Sequence, residues 1–261
     1  MSMKIELIDA SIGYDKTVII QGINLSFESG HFYCLLGGNG IGKTTLFRSV
    51  LGFLPVIKGQ ILIGGKPISK YTVAELSEYI SYVPQAKDNS YDMSVLEVIV
   101  MGRARFVKKF SQPSLHDYDV AKAILRNLEI EDLAEKPYSE LSGGEQQIVL
   151  IARALAQDSK FILMDEPASN LDFENQKKVL ECLKQLSGSG IGIILSSHSP
   201  DHALYCEMEV VMIDKRHQIH VGMIDEVLTN EMLKDVYGVD IQLISGQTKD
   251  GRVIKTCCLV K

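Results

Sequence analysis

The stretch HFYCLLGGNGIGKTT, residues 31–45, decides the fold of this chain. Its first six residues are an apolar run, which predicts a short buried strand. The next eight, 37–44, fit the pattern G-x-x-x-x-G-K-[ST], and a helix is predicted from Lys43 to about Val50. Glycines let consecutive backbone N–H groups turn inward around an anion, and the helix adds the positive end of its dipole. The stretch therefore predicts a site for the phosphates of a nucleotide.

Two side chains of this phosphate loop have separate predicted tasks. Lys43 supplies a positive charge to the β- and γ-phosphates, and the hydroxyl of Thr44 is the expected ligand of Mg²⁺. The alternative is a glycine-rich turn that binds nothing, and the strand before the loop and the helix after it argue against that alternative. The predicted nucleotide-binding residues of the loop are Gly37, Gly38, Asn39, Gly40, Ile41, Gly42, Lys43, Thr44 and Thr45.

A second motif, FILMDEP at residues 161–167, supplies acidic groups. Asp165 and Glu166 follow four apolar residues, so they are expected at the carboxyl end of a buried parallel strand, where open α/β sheets bind ligands. An acidic pair after an apolar run is usually only a strand end that meets solvent, but its pairing with a phosphate loop reverses that expectation. We expect Asp165 to hold Mg²⁺ and Glu166 to act as the base that polarises the attacking water.

The composition is that of an ordinary globular protein, with 46% hydrophobic and 23% charged residues in a chain of 261. The formal net charge of −6 disfavours a protein that mainly grips nucleic acid, so no nucleic-acid partner is expected. Five scattered cysteines without a C-x-x-C pair predict neither disulfides nor zinc and favour a reducing compartment. No signal peptide is expected, and no run approaches about 20 apolar residues, so any membrane role is expected to come through a partner.

Apolar β runs alternate with helical patterns along most of the chain. That order predicts an α/β fold, with a P-loop core whose mostly parallel sheet is covered on both faces. We further predict an antiparallel β subdomain at the N-terminus and a helical subdomain inserted at about residues 88–157. The run DEVLTNEMLKDVYG, 225–238, predicts one continuous helix. The last segment, 240–261, is predicted to be a β-hairpin tail that turns around 250–251.

A third motif, LSGGE at residues 141–145, lies between the phosphate loop and Asp165. It resembles the signature motif of ABC-type ATPases, whose usual form ends in Gln. The resemblance covers the chain from about Met3 to Val239, so residues 3–239 are interpreted as an ABC-type ATP-binding domain. It implies ATP and Mg²⁺ as cofactors and ATP hydrolysis as the activity.

Four more positions match motifs of that family in order. Gln85 resembles the Q-loop glutamine, SNLD at 169–172 resembles the D-loop, and His198 resembles the switch histidine. Tyr14 stands where the family places an aromatic ring against adenine. Each taken alone would be an ordinary surface amide, packed ring or satisfied histidine. The implied catalytic residues are Asp165, Glu166 and His198, the metal ligands are Thr44, Gln85 and Asp165, and the further nucleotide-binding residues are Tyr14, Gln85, Ser142, Gly143, Gly144, Glu145 and Asp172.

The resemblance also implies a partner. In this family two ATP-binding subunits pair head to tail, and each nucleotide lies between one phosphate loop and the signature loop of the other subunit. Because the chain carries one set of motifs, a homodimer with a second copy is implied, in which Ser142 and Gly144 meet the γ-phosphate. Glu145 departs from the usual Gln: its carboxylate favours the start of a helix but repels a nearby triphosphate.

The triplet Met101-Gly102-Arg103, soon after Gln85, resembles ATP-binding subunits of importers for metal chelates (siderophores, haem, cobalamin) and related oxyanions. In that group the region after Gln85 docks a cytoplasmic helix of the permease. The resemblance implies peripheral attachment to the cytoplasmic face of the membrane, integral permease subunits as partners and, indirectly, a substrate-binding protein. The alternative is that the triplet is only the C-terminal end of a helix, where a basic residue is favourable.

Other functions stay open on the sequence alone. A soluble ABC-type ATPase of iron–sulfur assembly has a similar length, whereas the acidic balance and the missing long coiled coil disfavour chromosome maintenance. A nucleotide-gated scaffold with little turnover is disfavoured by Glu166. His198 and His202 have the i,i+4 spacing of a metal pair, but Pro200 lies between them and no third ligand is near.

Overall fold

The computed structural model describes residues 2–15, 17–85, 92–108, 111–186 and 188–260. Strands of two sheets and a separate hairpin alternate with helices along that part of the chain. The strands are β1 (Lys4–Tyr14), β2 (Thr17–Glu28), β3 (Phe32–Leu36), β4 (Lys58–Ile63), β5 (Lys66–Pro67), β6 (Ile80–Val83), β7 (Phe161–Asp165), β8 (Gly192–Ser197), β9 (Glu209–Ile213), β10 (Ile219–Gly222), β11 (Ile241–Gln247) and β12 (Val253–Leu259). The α-helices are α1 (Lys43–Val50), α2 (Val73–Leu76), α3 (Val95–Val100), α4 (Leu115–Asn127), α5 (Gly143–Ala156), α6 (Phe173–Leu186), α7 (Pro200–Cys206), α8 (Ile224–Val227) and α9 (Asn230–Tyr237).

The central sheet has six strands in the order β10-β9-β3-β8-β7-β6. All neighbouring strands are parallel except β10, which runs antiparallel to β9. Every residue of β3 and β8 is buried, which is why both read as nearly continuous apolar runs. Leu36 lies beside Ser197 and Asp165 beside Ser196 in the register, so the carboxyl ends of β3, β7 and β8 meet at one edge. The predicted mostly parallel sheet is confirmed.

The N-terminal subdomain is an antiparallel sheet in the order β2-β1-β4-β5. Its apolar face carries Ile5 and Ile61, which are buried in one core with Leu46 of α1 and Leu163 of β7. The sheet therefore packs over α1 and one face of the central sheet, which fixes the direction in which α1 leaves the phosphate loop. The predicted antiparallel β subdomain is confirmed.

The helical part lies on the other face of the central sheet. Buried side chains of α3, α4 and α5, among them Ile99, Leu125 and Val149, share a core with Ile162 of β7 and Leu195 of β8. The described helical elements run from α3 to the end of α5, whereas the predicted start at residue 88 lies outside the described residues. Burial of α5 against the sheet holds the signature motif at the start of that helix.

The C-terminal region differs from the prediction of one helix over 225–238. Two short helices form there, α8 and α9, because the hydroxyl of Thr229 accepts a hydrogen bond from the Met232 backbone N–H at 3.2 Å and starts α9 afresh. Threonine favours this capping role over a helix interior. After α9, β11 and β12 pair as an antiparallel hairpin within the predicted tail. Asp201 of α7 anchors the hairpin by accepting the backbone N–H of Cys257 at 2.9 Å.

Two smaller expectations concern cysteines and membrane spans. All five cysteines fall within the described residues, and each is a free thiol. In the part of the chain that the structure describes, no helix combines the length and the apolarity needed to cross a bilayer.

Candidate active site

The phosphate loop joins the buried end of β3 to the first turn of α1. Gly40 has a φ of 75° and Gly42, the residue that caps α1, has a φ of 112°, a region that residues with a side chain rarely adopt. A Cβ atom on Gly42 would also lie 2.8 Å from Cδ1 of Ile20. The glycines are thus required both by the turn and by the close approach of the N-terminal sheet.

The ammonium of Lys43 lies inside this loop. It donates hydrogen bonds to the backbone oxygens of Gly37 at 2.8 Å and Gly38 at 3.2 Å, and Lys43 is 5% exposed. Nζ also lies 3.6 Å from Oε1 of Glu166. Burial lowers the pKa of Lys43, and the Glu166 carboxylate opposes that shift. The positive charge of Lys43 therefore faces both the phosphate loop and Glu166.

Asp165 ends β7 and meets the start of α1. The Thr44 hydroxyl donates to Oδ2 of Asp165 at 3.1 Å, and the Tyr82 phenol reaches the same oxygen at 3.5 Å. Burial, followed by the charge of Asp165, raises the pKa of Tyr82 to about 12, so the phenol keeps its proton at neutral pH. A hydroxyl and a carboxylate beside a phosphate loop are oxygen donors of the kind that Mg²⁺ takes, so the residues present fit this ion.

Glu166 follows Asp165 with a backbone φ of 48°, and its carboxylate lies within 3.6 Å of the Lys43 ammonium of the loop. Oε2 of Glu166 lies 3.2 Å from Nδ1 of His198, the residue that follows β8. The His198 side chain is 46% exposed, so the pair faces solvent at the edge of the sheet. The carboxylate therefore stands between a buried lysine and an accessible histidine.

Gln85 is joined to the acidic pair through one serine. The Gln85 amide donates to Oγ of Ser169 at 2.8 Å, and the Ser169 hydroxyl donates to the backbone oxygen of Glu166 at 2.8 Å. Gln85 follows β6 at the same edge of the sheet. The structure thus brings Gln85 close to the backbone of the proposed base; of the permease-docking region predicted after Gln85, residues 86–91 lie outside the described residues.

The signature motif forms the start of α5. Ser142 and Glu145 make a reciprocal capping box: the Glu145 backbone N–H donates to the Ser142 hydroxyl oxygen at 3.4 Å, and the Ser142 backbone N–H donates to Oε2 of Glu145 at 2.8 Å. The Ser142 hydroxyl also donates to Oε2 of Glu145, at 2.7 Å. The bonds from Ser142 lower the pKa of Glu145. Gly144 packs on α6, where an added Cβ would lie 2.4 Å from Oδ1 of Asn175. Ser142 and Gly143 are exposed.

Two predicted nucleotide-binding residues stand apart from this cluster. Asp172 accepts the backbone N–H of Asn175 at 2.9 Å and so caps the start of α6. Tyr14 is 39% exposed at the end of β1, opposite Thr17 in the hairpin register. Its ring is available to a flat ligand on the surface that β1 and β2 share.

The histidine pair gives no metal site. Nδ1 of His202 lies 2.9 Å from the Ser197 hydroxyl, and burial lowers the pKa of His202. Among the described residues, no group of three or more His, Cys, Asp or Glu side chains is arranged to hold a metal ion. His202 is thus a buried, hydrogen-bonded residue of α7.

The triplet Met101-Gly102-Arg103 is largely structural. Arg103 is 6% exposed; it bonds Asp117 of α4 at 3.1 Å and donates to the Ala156 backbone oxygen at 3.0 Å. A Cβ on Gly102 would lie 2.1 Å from the Arg153 backbone oxygen, so the glycine permits close contact with α5. Met101 is 43% exposed and is the member of the triplet that a partner is able to reach.

Three residues of the site were not among the predicted site residues, although Ser169 is the first residue of the SNLD motif. Ser196, Tyr82 and Ser169 each bond an acidic residue or its backbone. The sequence carried one signal for Ser196: the apolar strand that precedes His198 ends in two serines, Ser196 and Ser197.

A strand, a glycine loop with a lysine and a threonine, a helix, and an acidic pair at the end of a second parallel strand, separated from the first by one strand of the sheet, define a nucleoside-triphosphatase of the P-loop class. The model of the ABC transporter family matches residues 20–169, and the chain belongs to that family. The expected ATPase activity of an ABC transporter ATP-binding subunit is thereby confirmed.

Relatives and solved structures support the same assignment. The chain is 40% identical over 242 residues to an uncharacterized ABC transporter ATP-binding protein of Haemophilus influenzae, covering 93% of this chain and 92% of the relative. It is 30% identical over 249 residues to the iron(3+)-hydroxamate import ATP-binding protein FhuC of Bacillus subtilis, covering 95% and 91%. A metal-chelate type ABC transporter in an inward-facing conformation matches with a TM-score of 0.87 at 29% identity, covering 99% of this chain and 98% of that one.

Proposed function

We propose that this chain is the ATP-hydrolysing subunit of an importer that takes up a metal chelate, such as an iron chelate, or a related oxyanion through a separate transmembrane permease. The single observation that carries the proposal is the convergence of Lys43, Thr44, Asp165, Glu166 and His198 at one sheet edge. The iron-hydroxamate relative and the metal-chelate transporter support the substrate class.

The roles of the residues follow from their contacts. The phosphates are bound by the backbone amides of residues 37–42 and by the Lys43 ammonium. Thr45, in the first turn of α1, also belongs to the phosphate-binding residues. Thr44, Asp165 and Gln85 would hold Mg²⁺, which when bound neutralises phosphate charge. Glu166 takes the proton of the attacking water, and His198, 3.2 Å from that carboxylate, orients it. Tyr14 stacks on the base.

A second copy of the chain completes the site in this proposal. The signature motif presents an exposed Ser142 and Gly143 at the amino end of α5, and the hydrogen bonds shown for it run within the motif and to the adjoining Tyr138 and Gln146. A helix N-terminus attracts a phosphate. Each nucleotide is therefore sandwiched between Lys43 of one copy and Ser142 of the other, with Asp172 beside the interface and Glu145 as a charge that opposes closure.

Coupling to transport places the subunit on the cytoplasmic face of the membrane. Permease subunits are its direct partners, and a substrate-binding protein acts through them. We assign residues 3–239 to the ATP-binding domain, with the helical insertion at about 88–157, and 240–261 to a hairpin tail. No nucleic acid takes part.

The test is affinity purification of the tagged chain from native membranes, followed by identification of the co-purifying chains. A multi-spanning permease supports the proposal, and reconstitution of that complex with its binding protein then measures ATP turnover with iron chelates and with oxyanions. A soluble assembly complex in place of a permease would contradict the importer function while leaving the ATPase intact.

A further inference from the structure

Ser196 lies beside the acidic pair of the proposed active site, and the roles proposed above do not include it. It is the fifth residue of β8, it is fully buried, and it is paired in register with Asp165 of β7. Its hydroxyl lies 2.6 Å from Oδ1 of Asp165 and 3.0 Å from the backbone nitrogen of Glu166. One side chain thus contacts both members of the acidic pair.

The direction of these two bonds is fixed by chemistry. An ionised carboxylate only accepts hydrogen bonds and a backbone N–H only donates them. The single proton of the Ser196 hydroxyl therefore points to Asp165, and its oxygen receives the N–H of Glu166. We infer that Ser196 is a positioning residue for ATP hydrolysis, which aims the metal-binding oxygen of Asp165 and fixes the backbone from which Glu166 reaches the water.

The aim of Asp165 depends on its two oxygens having different neighbours. With Oδ1 held by Ser196, Oδ2 is left to face the Thr44 hydroxyl, 3.1 Å away. Loss of the Ser196 bond would let the carboxylate turn about its terminal torsion, which is a soft one. The carboxylate oxygen of Asp165 and the hydroxyl of Thr44 would then no longer be held in a fixed arrangement for Mg²⁺. Loss of a residue that hydrogen-bonds a metal ligand typically lowers metal affinity or activity by about 10- to 100-fold.

The hold on Glu166 matters because its backbone is strained. A φ of 48° is uncommon for a residue with a side chain, and such conformations persist only where surrounding contacts enforce them. Ser196 binds the N–H of Glu166 from β8, and Ser169 binds its carbonyl oxygen from the following loop. The peptide of the proposed base is therefore clamped from both sides.

The inference rests on the proposed roles of Asp165 and Glu166, and the experiment separates the two claims. Ser196→Ala removes the hydroxyl, and Ser196→Thr keeps it. Ser196→Val has nearly the shape of the threonine variant but lacks the hydroxyl. Ser81→Ala is the matched control, because Ser81 is buried in β6 and bonds Ser159 at 3.0 Å, away from the acidic pair. Glu166→Gln tests the proposed base itself.

Three quantities are measured for each variant: kcat for ATP, the ATP affinity by calorimetry with Mg²⁺ and with EDTA, and the melting temperature. For Ser196→Ala we expect kcat to fall about 10- to 100-fold. The gain in ATP affinity that Mg²⁺ provides should shrink about tenfold or more, while the affinity in EDTA stays within threefold. Ser196→Thr should restore both quantities relative to Ser196→Val, and Ser81→Ala should match the wild type.

The inference is overturned if Ser196→Ala keeps kcat and the Mg²⁺ effect within threefold of the wild type. Equal behaviour of the Thr and Val variants would also overturn it, because packing would then explain the loss; this pair decides the matter if the Ala variant does not fold. If Glu166→Gln keeps its turnover, the proposed base is wrong, but the Mg²⁺ effect still reports on Ser196 and Asp165.

Discussion

The carboxylate of Glu166 lies 3.2 Å from the ring of His198 and 3.6 Å from the ammonium of Lys43. Three motifs that are far apart in the sequence therefore meet at one side chain. The contact is possible because the carboxyl ends of β3, β7 and β8 share an edge of the central sheet. That arrangement gives each of the following predictions a defined structural basis.

Replacement of Lys43 by Ala should weaken MgATP binding by on the order of 100-fold or more. Charge-assisted hydrogen bonds are worth about 1.5–3 kcal/mol each, and the ammonium is placed to make two of them to phosphates. Calorimetry checks this, with Lys58→Ala as the control because Lys58 forms an exposed ion pair with Asp9. An unchanged affinity in the Lys43 variant would contradict the assignment of the phosphate loop.

Replacement of Glu145 by Gln should tighten the ATP-dependent dimer about 30-fold, because the head-to-tail dimer contains two nucleotide sites and each loses one repulsion worth about 1 kcal/mol. A unit charge removed from within about 4 Å of a phosphate in a water-like dielectric is worth about 1 kcal/mol. The amide oxygen of Gln still accepts the bonds of Ser142, so the free energy of unfolding should change by less than about 0.5 kcal/mol. Sedimentation in a hydrolysis-deficient background measures the dimer, and equal or weaker dimerisation would show that Glu145 does not face the nucleotide.

The Arg103–Asp117 pair should contribute a pH-dependent part of the stability. Hydrogen bonds from Ser114, followed by Arg103, lower the pKa of Asp117 from 3.8 to about 2. A carboxylate with a lowered folded-state pKa stabilises the fold above its unfolded value, and that stability is lost as the pH falls from about 4 toward 2. Denaturant unfolding of Asp117→Asn, followed across this range, should show a lower stability at pH 7 and a flatter acid limb. An unaltered acid limb would rule out this source of the pH dependence.

Replacement of Met101 by Ala should leave basal ATPase activity and the melting temperature near wild type but reduce stimulation by the permease. Met101 is the exposed member of its triplet, whereas Arg103 is buried. The comparison variant, Arg103→Ala, should lower stability by about 1.5–3 kcal/mol because it removes the charged partner of Asp117 and the donor to the Ala156 backbone oxygen, while Ser114 still bonds Asp117. ATP turnover in the reconstituted complex decides the point, and normal stimulation of Met101→Ala would remove this residue from the docking surface.

Much of this site is predictable from the sequence because the chemistry is local. The spacing of 37–44 and the acidic pair after an apolar strand are each contained in one short segment, and the structure brings them together as the parallel sheet requires. Ser196 and Tyr82 are different, because only the register of β7 between β6 and β8 puts them next to Asp165. A single sequence does not state that register.

The contrast between local motifs and contacts made by distant segments also explains why the structure differs from the sequence-based expectations elsewhere. Arg103 follows a helix, where a basic residue is ordinarily solvated, yet packing of α4 and α5 around it makes it a buried ion pair. The break between α8 and α9 depends on a cap at Thr229 that competes with a continuous helical pattern. Glu145 and Ser142 show a pattern that the sequence does carry, since S-x-x-E at a helix start is the capping-box spacing.

The central claim is that Glu166 is the base of an ATPase whose site is shared by two copies of the chain. Its most direct test is turnover of Glu166→Gln with MgATP, alongside ATP affinity and dimer formation in the same preparation. We expect kcat to fall about 10²- to 10⁴-fold while ATP still binds and a nucleotide-bound dimer accumulates, with Glu181→Gln on the exposed face of α6 unaffected. Turnover of Glu166→Gln within threefold of the wild type, or ATP binding without any dimer, would contradict the account.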